Sequence, residues 1–361
     1  MRDLAGLDLC FLAGTLGPGG AERQLYYLLK TLRAAGARLR LLSLTRGEFW
    51  EAPIAALGIP VLWIGAEAAP PARLWRIVAA LRRDPPAILQ SQHFYTNLYA
   101  AAAARLLGAR EIGALRSDVF SEVASHALAG AISLRLPRLL AANSQAAIAN
   151  ARSLGLPASR LRLLPNVVDA AAFAPVDRTG REGATLLAVG RFTPEKRFDR
   201  ILRLLARVRR EAPLPVRAIL VGDGPDRPQM ERLAAELGLG GAVEFRGEVR
   251  EIASVYREAD ALLLASEYEG APNVVLEAMA CGLPVVAAAV GDVPQFVRDG
   301  ETGFLSKPYD EAQMSAMILR LAADRELRTA LGAAARRKIE ADHSLEAHPR
   351  ILSTFYQGLF V

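Results

Sequence analysis

The chain has 361 residues, 52% of them hydrophobic and 23% charged, with a formal net charge of +6, a size that favours two domains over one or three. That apolar content excludes a disordered chain, and two distant cysteines, Cys10 and Cys281, exclude a disulfide scaffold or a cysteine-rich zinc site. No apolar run reaches the ~20 residues of a membrane span, and the start of the chain shows no basic segment with a cleavage site, so no signal peptide and a cytoplasmic location are expected.

Apolar runs of strand length alternate with helical stretches. Residues 7–13 read as a buried strand, and 21–35 as a helix with Leu25, Leu28, Leu29 and Leu32 on one face. Strands follow at 38–44 and 60–64, then an amphipathic helix at 72–83. Strands at 87–91, 112–115, 138–142 and 160–164 complete the first half. The polar stretch 174–183 reads as a linker. The pattern then restarts with strand 185–189, helix 195–210, strand 216–221 and helix 228–237. Strands at 243–246, 261–265 and 284–288 follow, and three helical segments close the chain, the last at 347–359. Such alternation implies right-handed βαβ units on parallel sheets. Two successive doubly wound α/β domains are expected. Ligands bind such sheets at the carboxyl ends of the strands, so the turns there matter most.

Charge divides unevenly between the halves. Residues 1–175 hold 19 basic and 11 acidic side chains, and residues 176–361 hold 25 and 27. A first half at +8 fits an anionic substrate, a lipid head group or a membrane surface, or simply a solvated arginine-rich face. The lysines are Lys30, Lys196, Lys307 and Lys338. None follows a glycine, which excludes a phosphate-loop NTPase.

The first strand-to-helix turn contains Gly14, Gly17, Gly19 and Gly20 before Ala21 and Glu22. It reads as an anion cradle at a helix start, or as an ordinary tight turn. Gly190 and Arg191 follow a strand of the second half, with Lys196 at the expected start of the next helix. Two cations there suit a diphosphate. Gly222 lies in a tight turn after another strand. The segment Glu267 to Glu277 is the most specific. Pro272 suits the first position of a helix. Gly270, Ala271, Pro272, Asn273 and Val274 would present backbone N–H groups there. Glu269 and Glu277 bracket that helix start, and carboxylates grip the hydroxyls of a ribose and a sugar.

These features together resemble the retaining glycosyltransferases of family 4, also called group 1, with the GT-B fold. The resemblance rests on Gly19-Gly20-Ala21-Glu22, Pro165-Asn166-Val167-Val168-Asp169 with Phe173, Gly190-Arg191 with Lys196, and Glu269 with Glu277. Ala278-Met279-Ala280, Gly282-Leu283-Pro284, Gly291 and the Gly300 to Gly303 turn extend it. It implies two Rossmann-like domains facing across a cleft. Residues 1–170 would bind the acceptor, 171–345 the nucleotide-sugar donor, and 346–361 would form a helix packing back on the first domain. Glu277 would hold the ribose. Arg191 and Lys196 would stabilise the departing diphosphate, with the Gly19-Gly20 backbone and the 270–273 loop supporting it. Glu269 would contact the donor sugar, and Asn166, Gly190 and Gly222 would line the nucleotide.

Two positions depart from the family pattern. The loop after the fifth strand, 114–118, carries Arg116 where the family often has a histidine. Arg116 would act electrostatically at the donor or grip an anionic acceptor. His93, one strand earlier, is either a hydrogen-bonded strand-end residue or a substitute near the reacting sugar. Val167 replaces a glycine of the family motif. No Asp-x-Asp is present, and His343 and His348 are too far apart in sequence to share a helical face, so neither a metal nor a resident cofactor is expected. A UDP-sugar is favoured over a GDP-sugar as donor. A glycan or lipid-linked hydroxyl is the expected acceptor, and nucleic acid is not a partner. The arginines at 73, 76, 82 and 83 with Trp75 point to peripheral contact with an anionic membrane, or to a solvated helix. A sugar-nucleotide epimerase and a non-catalytic nucleotide-sugar binding protein are the alternatives.

Overall fold

A computed structural model describes residues 4–66, 69–116, 119–178, 180, 182–307, 309–357 and 359. Ser117 and Asp118 of the loop after the fifth strand lie outside the described residues. So do Thr179 and Arg181 of the expected linker, and Gly358, Phe360 and Val361 of the closing segment. The chain divides into two compact units. The first comprises residues 1–167 and 345–361, and the second residues 168–344.

The first unit begins with β1 (Asp8–Ala13), α1 (Gly20–Ala34), β2 (Arg38–Ser43), α2 (Glu51–Ala56), β3 (Val61–Trp63) and α3 (Pro70–Leu81). It continues with β4 (Ile88–Ser91), α4 (Asn97–Leu107), β5 (Arg110–Leu115), α5 (Val119–Ser125), α6 (Ala127–Arg135), β6 (Leu140–Ala142), α7 (Gln145–Ser153) and β7 (Leu161–Leu163). The strands pair in parallel in the order β3-β2-β1-β4-β5-β6-β7. Helices cover both faces of such a sheet, so its central strands are largely buried. Every residue of β4 is buried.

The second unit holds β8 (Ala184–Val189), α8 (Phe198–Glu211), β9 (Val216–Val221), α9 (Arg227–Glu236), β10 (Val243–Gly247), α10 (Ile252–Glu258), β11 (Ala261–Leu264) and α11 (Asn273–Ala280). β12 (Val285–Ala288), α12 (Val293–Phe296), β13 (Gly303–Ser306), α13 (Glu311–Ala323) and α14 (Arg325–Asp342) complete it. Its parallel sheet runs β10-β9-β8-β11-β12-β13. The last helix, α15 (His348–Tyr356), belongs to the first unit. Tyr356 there donates to Gln90 Oε1 at 2.7 Å, and Arg162 donates to the Phe355 carbonyl at 2.9 Å.

Three sequence expectations change. The helix expected at 195–210 begins at Phe198, because Arg197 takes a left-handed conformation with φ 51° and breaks it off from a short 3-10 turn, Pro194–Lys196. Pro272 is the residue before α11 rather than its first residue. β13 was not expected: four residues led by a glycine read as a turn, yet all four are buried against β12. Both cysteines are free and buried, and burial pushes each thiol up to about 12.

Candidate active site

In a doubly wound sheet the ligand crevice opens where adjacent strands send their connections to opposite faces. That point lies between β8 and β11 in the second unit, and between β1 and β4 in the first.

In the second unit, β8 runs out into Gly190 and Arg191. Arg191 is exposed, and its guanidinium makes no hydrogen bond or ion pair among the described residues. Gly222 ends β9 and backs onto the Gly190 carbonyl. The left-handed Arg197 is tied by a two-pronged fork to Asp199, 3.0 Å on each side, and reaches Glu267 at 3.3 Å. The hydrogen bond to Asp199 leads the causes that push the Arg197 pKa up. A strained non-glycine residue marks a segment held by its surroundings for a purpose. Here the preceding 3-10 turn carries Lys196 across the crevice. Its Nζ lies 2.8 and 2.9 Å from the two oxygens of Glu269. Ser266 donates to Glu269 Oε1 at 2.8 Å. Glu269 has a side chain only 8% exposed, against 28% for Lys196, so the pair is partly desolvated and strong.

Glu277 sits in the second turn of α11 and is 3% exposed. Its Oε2 accepts from the Tyr256 hydroxyl at 2.8 Å. Gly270, Ala271 and Pro272 form the loop before α11, and Asn273 and Val274 its first turn. That loop is shaped from behind by Gly291. With φ at +52°, Gly291 comes so close that a Cβ would lie 2.0 Å from the Glu269 carbonyl. Asp292 N–H then donates to the Gly270 carbonyl at 2.9 Å. The structure therefore brings Gly190, Lys196, Glu269 and the 270–274 loop to one crevice, with Arg191 at its edge.

In the first unit the crevice answers its own donors. Gly14 N–H donates to His93 Nδ1 at 3.0 Å, which assigns the ring hydrogen to Nε2. Nε2 in turn lies 2.9 Å from Glu22 Oε1. Glu22 is the third residue of α1 and folds back over its start, where a Cβ on Gly19 would lie 2.1 Å from Oε2. Leu16 N–H donates to Glu48, and Gly17 N–H to Thr15 Oγ1 at 3.1 Å. Gly20 opens α1 beside this carboxylate. Asn166 follows β7 and is buried. Val167 is accepted in place of a glycine because its φ is not positive, and Gln24 holds its N–H and carbonyl at 2.9 and 2.7 Å. Arg116 follows β5 and donates to Gln92 Oε1 at 3.2 Å, and burial lowers its pKa to about 10.

Sequence reasoning missed Tyr256 and Ser266, which carried no local motif. Glu22 was visible as the fourth residue of Gly19-Gly20-Ala21-Glu22, though not its grip on His93. The expected basic face of α3 is only half available. Arg73 donates to Tyr99 at 2.9 Å and Arg76 to the Ile64 carbonyl at 3.0 Å, while Trp75, Arg76, Arg82 and Arg83 are exposed. Among the described residues, no helix is long and apolar enough to cross a membrane.

The chain is similar to known glycosyltransferases. The model of "Glycosyltransferase Family 4" matches residues 18–172, and that of "Glycosyl transferases group 1" matches residues 176–338. A D-inositol 3-phosphate glycosyltransferase of Geodermatophilus obscurus is 38% identical over 201 residues, covering 51% of this chain and 44% of that protein. The lipopolysaccharide core biosynthesis glycosyltransferase LpsE of Rhizobium meliloti is 30% identical over 192 residues, covering 52% of this chain and 55% of that protein. The alignments thus span about half the length of these curated relatives. The crystal structure of Anabaena Alr3699/HepE in complex with UDP and glucose superposes with a TM-score of 0.85 at 20% identity, covering 97% of this chain and 99% of that one. One family model spans β2 to β7 of the first sheet and the other all six strands of the second, and the chain belongs to the family 4, group 1 glycosyltransferases of GT-B fold.

Proposed function

We propose that the chain transfers a sugar from a nucleotide-diphosphate sugar to an acceptor hydroxyl with retention of anomeric configuration. The observation that carries this reading is the uncommitted guanidinium of Arg191 at the carboxyl end of β8, beside the Lys196–Glu269 pair. A cation left without a counter-ion at a strand end suits a ligand that brings negative charge. Arg191 and Lys196 stabilise the charge that develops on the departing diphosphate. No metal is needed for that task in this scheme. Glu277 holds the ribose, with Tyr256 fixing its carboxylate. Glu269, clamped by Lys196, receives hydroxyls of the donor sugar through its remaining lone pairs. UDP is the favoured nucleotide, as in the HepE complex with UDP and glucose.

Both oxygens of Glu269 are engaged by Lys196, which disfavours it as a covalent nucleophile. We therefore assign attack to the same face from which the diphosphate leaves. The bond from the anomeric carbon to the phosphate oxygen breaks, the bond to the acceptor oxygen forms, and the acceptor proton passes to the departing phosphate oxygen. The acceptor is placed on the basic first unit. For a lipid-linked acceptor, exposed Trp75, Arg82 and Arg83 form the face that meets an anionic membrane.

The test is proton NMR of the product formed from an α-configured UDP-sugar with a panel of glycan and phospholipid acceptors. An α-linked product with release of UDP is expected. A β-linked product overturns retention. An isomerised sugar formed without acceptor overturns transfer altogether.

A further inference from the structure

Arg116 is a partly buried cation with one side-chain hydrogen bond among the described residues. It follows β5, flanked by the residues that follow β4 and β6. Its side-chain hydrogen bond goes to the neutral amide of Gln92, at 3.2 Å, and among the described residues it forms no ion pair. Its Nε is buried without a hydrogen-bond partner. The residue as a whole keeps some exposed surface, so the group can be approached. Its neighbours complete a polar floor. Gln92 is fully buried, with its Nε2 spent on the Ala21 carbonyl at 2.7 Å. Asn143, which follows β6, is 6% exposed and donates its Nδ2 to the Arg116 carbonyl at 3.2 Å. That leaves Asn143 Oδ1 buried as an acceptor with no donor.

A guanidinium with a buried, unsatisfied Nε is costly, as is a buried carbonyl without a donor. Both are relieved by one kind of molecule, with an oxyanion for the guanidinium and a hydroxyl for the amide oxygen. Among the described carboxylates, Glu22 acts on Arg116 through space, without a hydrogen bond to it. Glu22 is committed to His93, and Glu48 to the first turn.

We propose that Arg116 and Asn143 receive an acceptor that carries a phosphate ester or carboxylate beside its hydroxyls. This rests on the glycosyl-transfer reading and adds the charge class of the substrate. Arginine suits the task because its planar fork matches an oxyanion and never loses its charge near neutral pH. The same chemistry could come from the diphosphate of the donor, so the test separates the two sources.

The experiment is calorimetric titration of the full chain with inorganic phosphate, first alone and then with UDP saturating. Phosphate is expected to bind in the presence of UDP. Arg116→Gln should weaken that binding by roughly tenfold to a hundredfold, as loss of a charged hydrogen-bond partner does. Arg116→Lys should recover part of it. An unchanged circular dichroism spectrum of Arg116→Gln reports that the variant is folded. Phosphate binding displaced by UDP would assign the anion to the donor and overturn the proposal. So would phosphate binding that Arg116→Gln leaves intact, or none in the wild type. Failure of UDP itself to bind would instead remove the donor reading, while the phosphate arm alone still judges Arg116.

Discussion

The two crevices are built on the same plan and filled in opposite ways. Each opens beside the first strand of its sheet, and each holds a cationic or imidazole group against a carboxylate. In the first unit the glycine turn after β1 spends its N–H groups on His93, Glu48 and Thr15, and Glu22 covers the start of α1. In the second unit the turn after β8 presents Arg191 with no partner, and Lys196 reaches over from a strained turn. A glycine-rich helix start is thus not by itself an anion site, because a protein carboxylate can take the place. An arginine left unpaired at a strand end is the more informative sign.

Substitutions can break this contrast. The largest effect is expected at Arg191. Arg191→Ala should lower donor turnover by about 10²–10³-fold, the cost of removing one preorganised charge donor. Its melting temperature should not move, since the exposed guanidinium makes no hydrogen bond or ion pair among the described residues. Equal turnover would return the second crevice to the same standing as the first.

Acid should separate the units next. His348 is buried in the first unit, 2.9 Å from Thr31 Oγ1, and burial lowers its pKa from 6.5 to about 4. The unfolded chain binds that proton below about pH 6.5, and the folded chain only near pH 4. Stability from this group is therefore complete above pH 6.5 and falls as the pH drops towards 4, by on the order of 3 kcal/mol. Urea midpoints followed across that window should fall more steeply in the wild type than in His348→Gln. Parallel curves would contradict the assignment.

A smaller effect is expected at His93. His93→Asn can keep the Gly14 contact while losing Glu22, and His93→Gln can keep Glu22 while losing Gly14. Each should cost about 1 kcal/mol of stability, one hydrogen bond's worth. Large losses of turnover with little change in stability would instead make His93 part of the reaction.

The architecture was legible because parallel strands buried on both faces read as uninterrupted apolar runs, as in β11 and β12. β13 escaped because four residues beginning with Gly303 carry too little pattern to distinguish a strand from a turn. The crevice residues were legible where chemistry is unusual in its setting, as with Arg191 after a strand and Glu277 within an apolar helix. What escaped is pairing. The Lys196–Glu269 contact depends on a left-handed Arg197, a conformation that no residue preference of arginine announces. Tyr256 reaches Glu277 from a different helix, and sequence distance conceals that.

The most direct test is the affinity for UDP of Lys196→Met set beside that of His93→Asn, each measured by calorimetry on the full chain. If the second crevice holds the diphosphate, Lys196→Met should bind UDP at least about tenfold more weakly, and His93→Asn should match the wild type. Loss of UDP binding in His93→Asn, with Lys196→Met unaffected, would contradict the account.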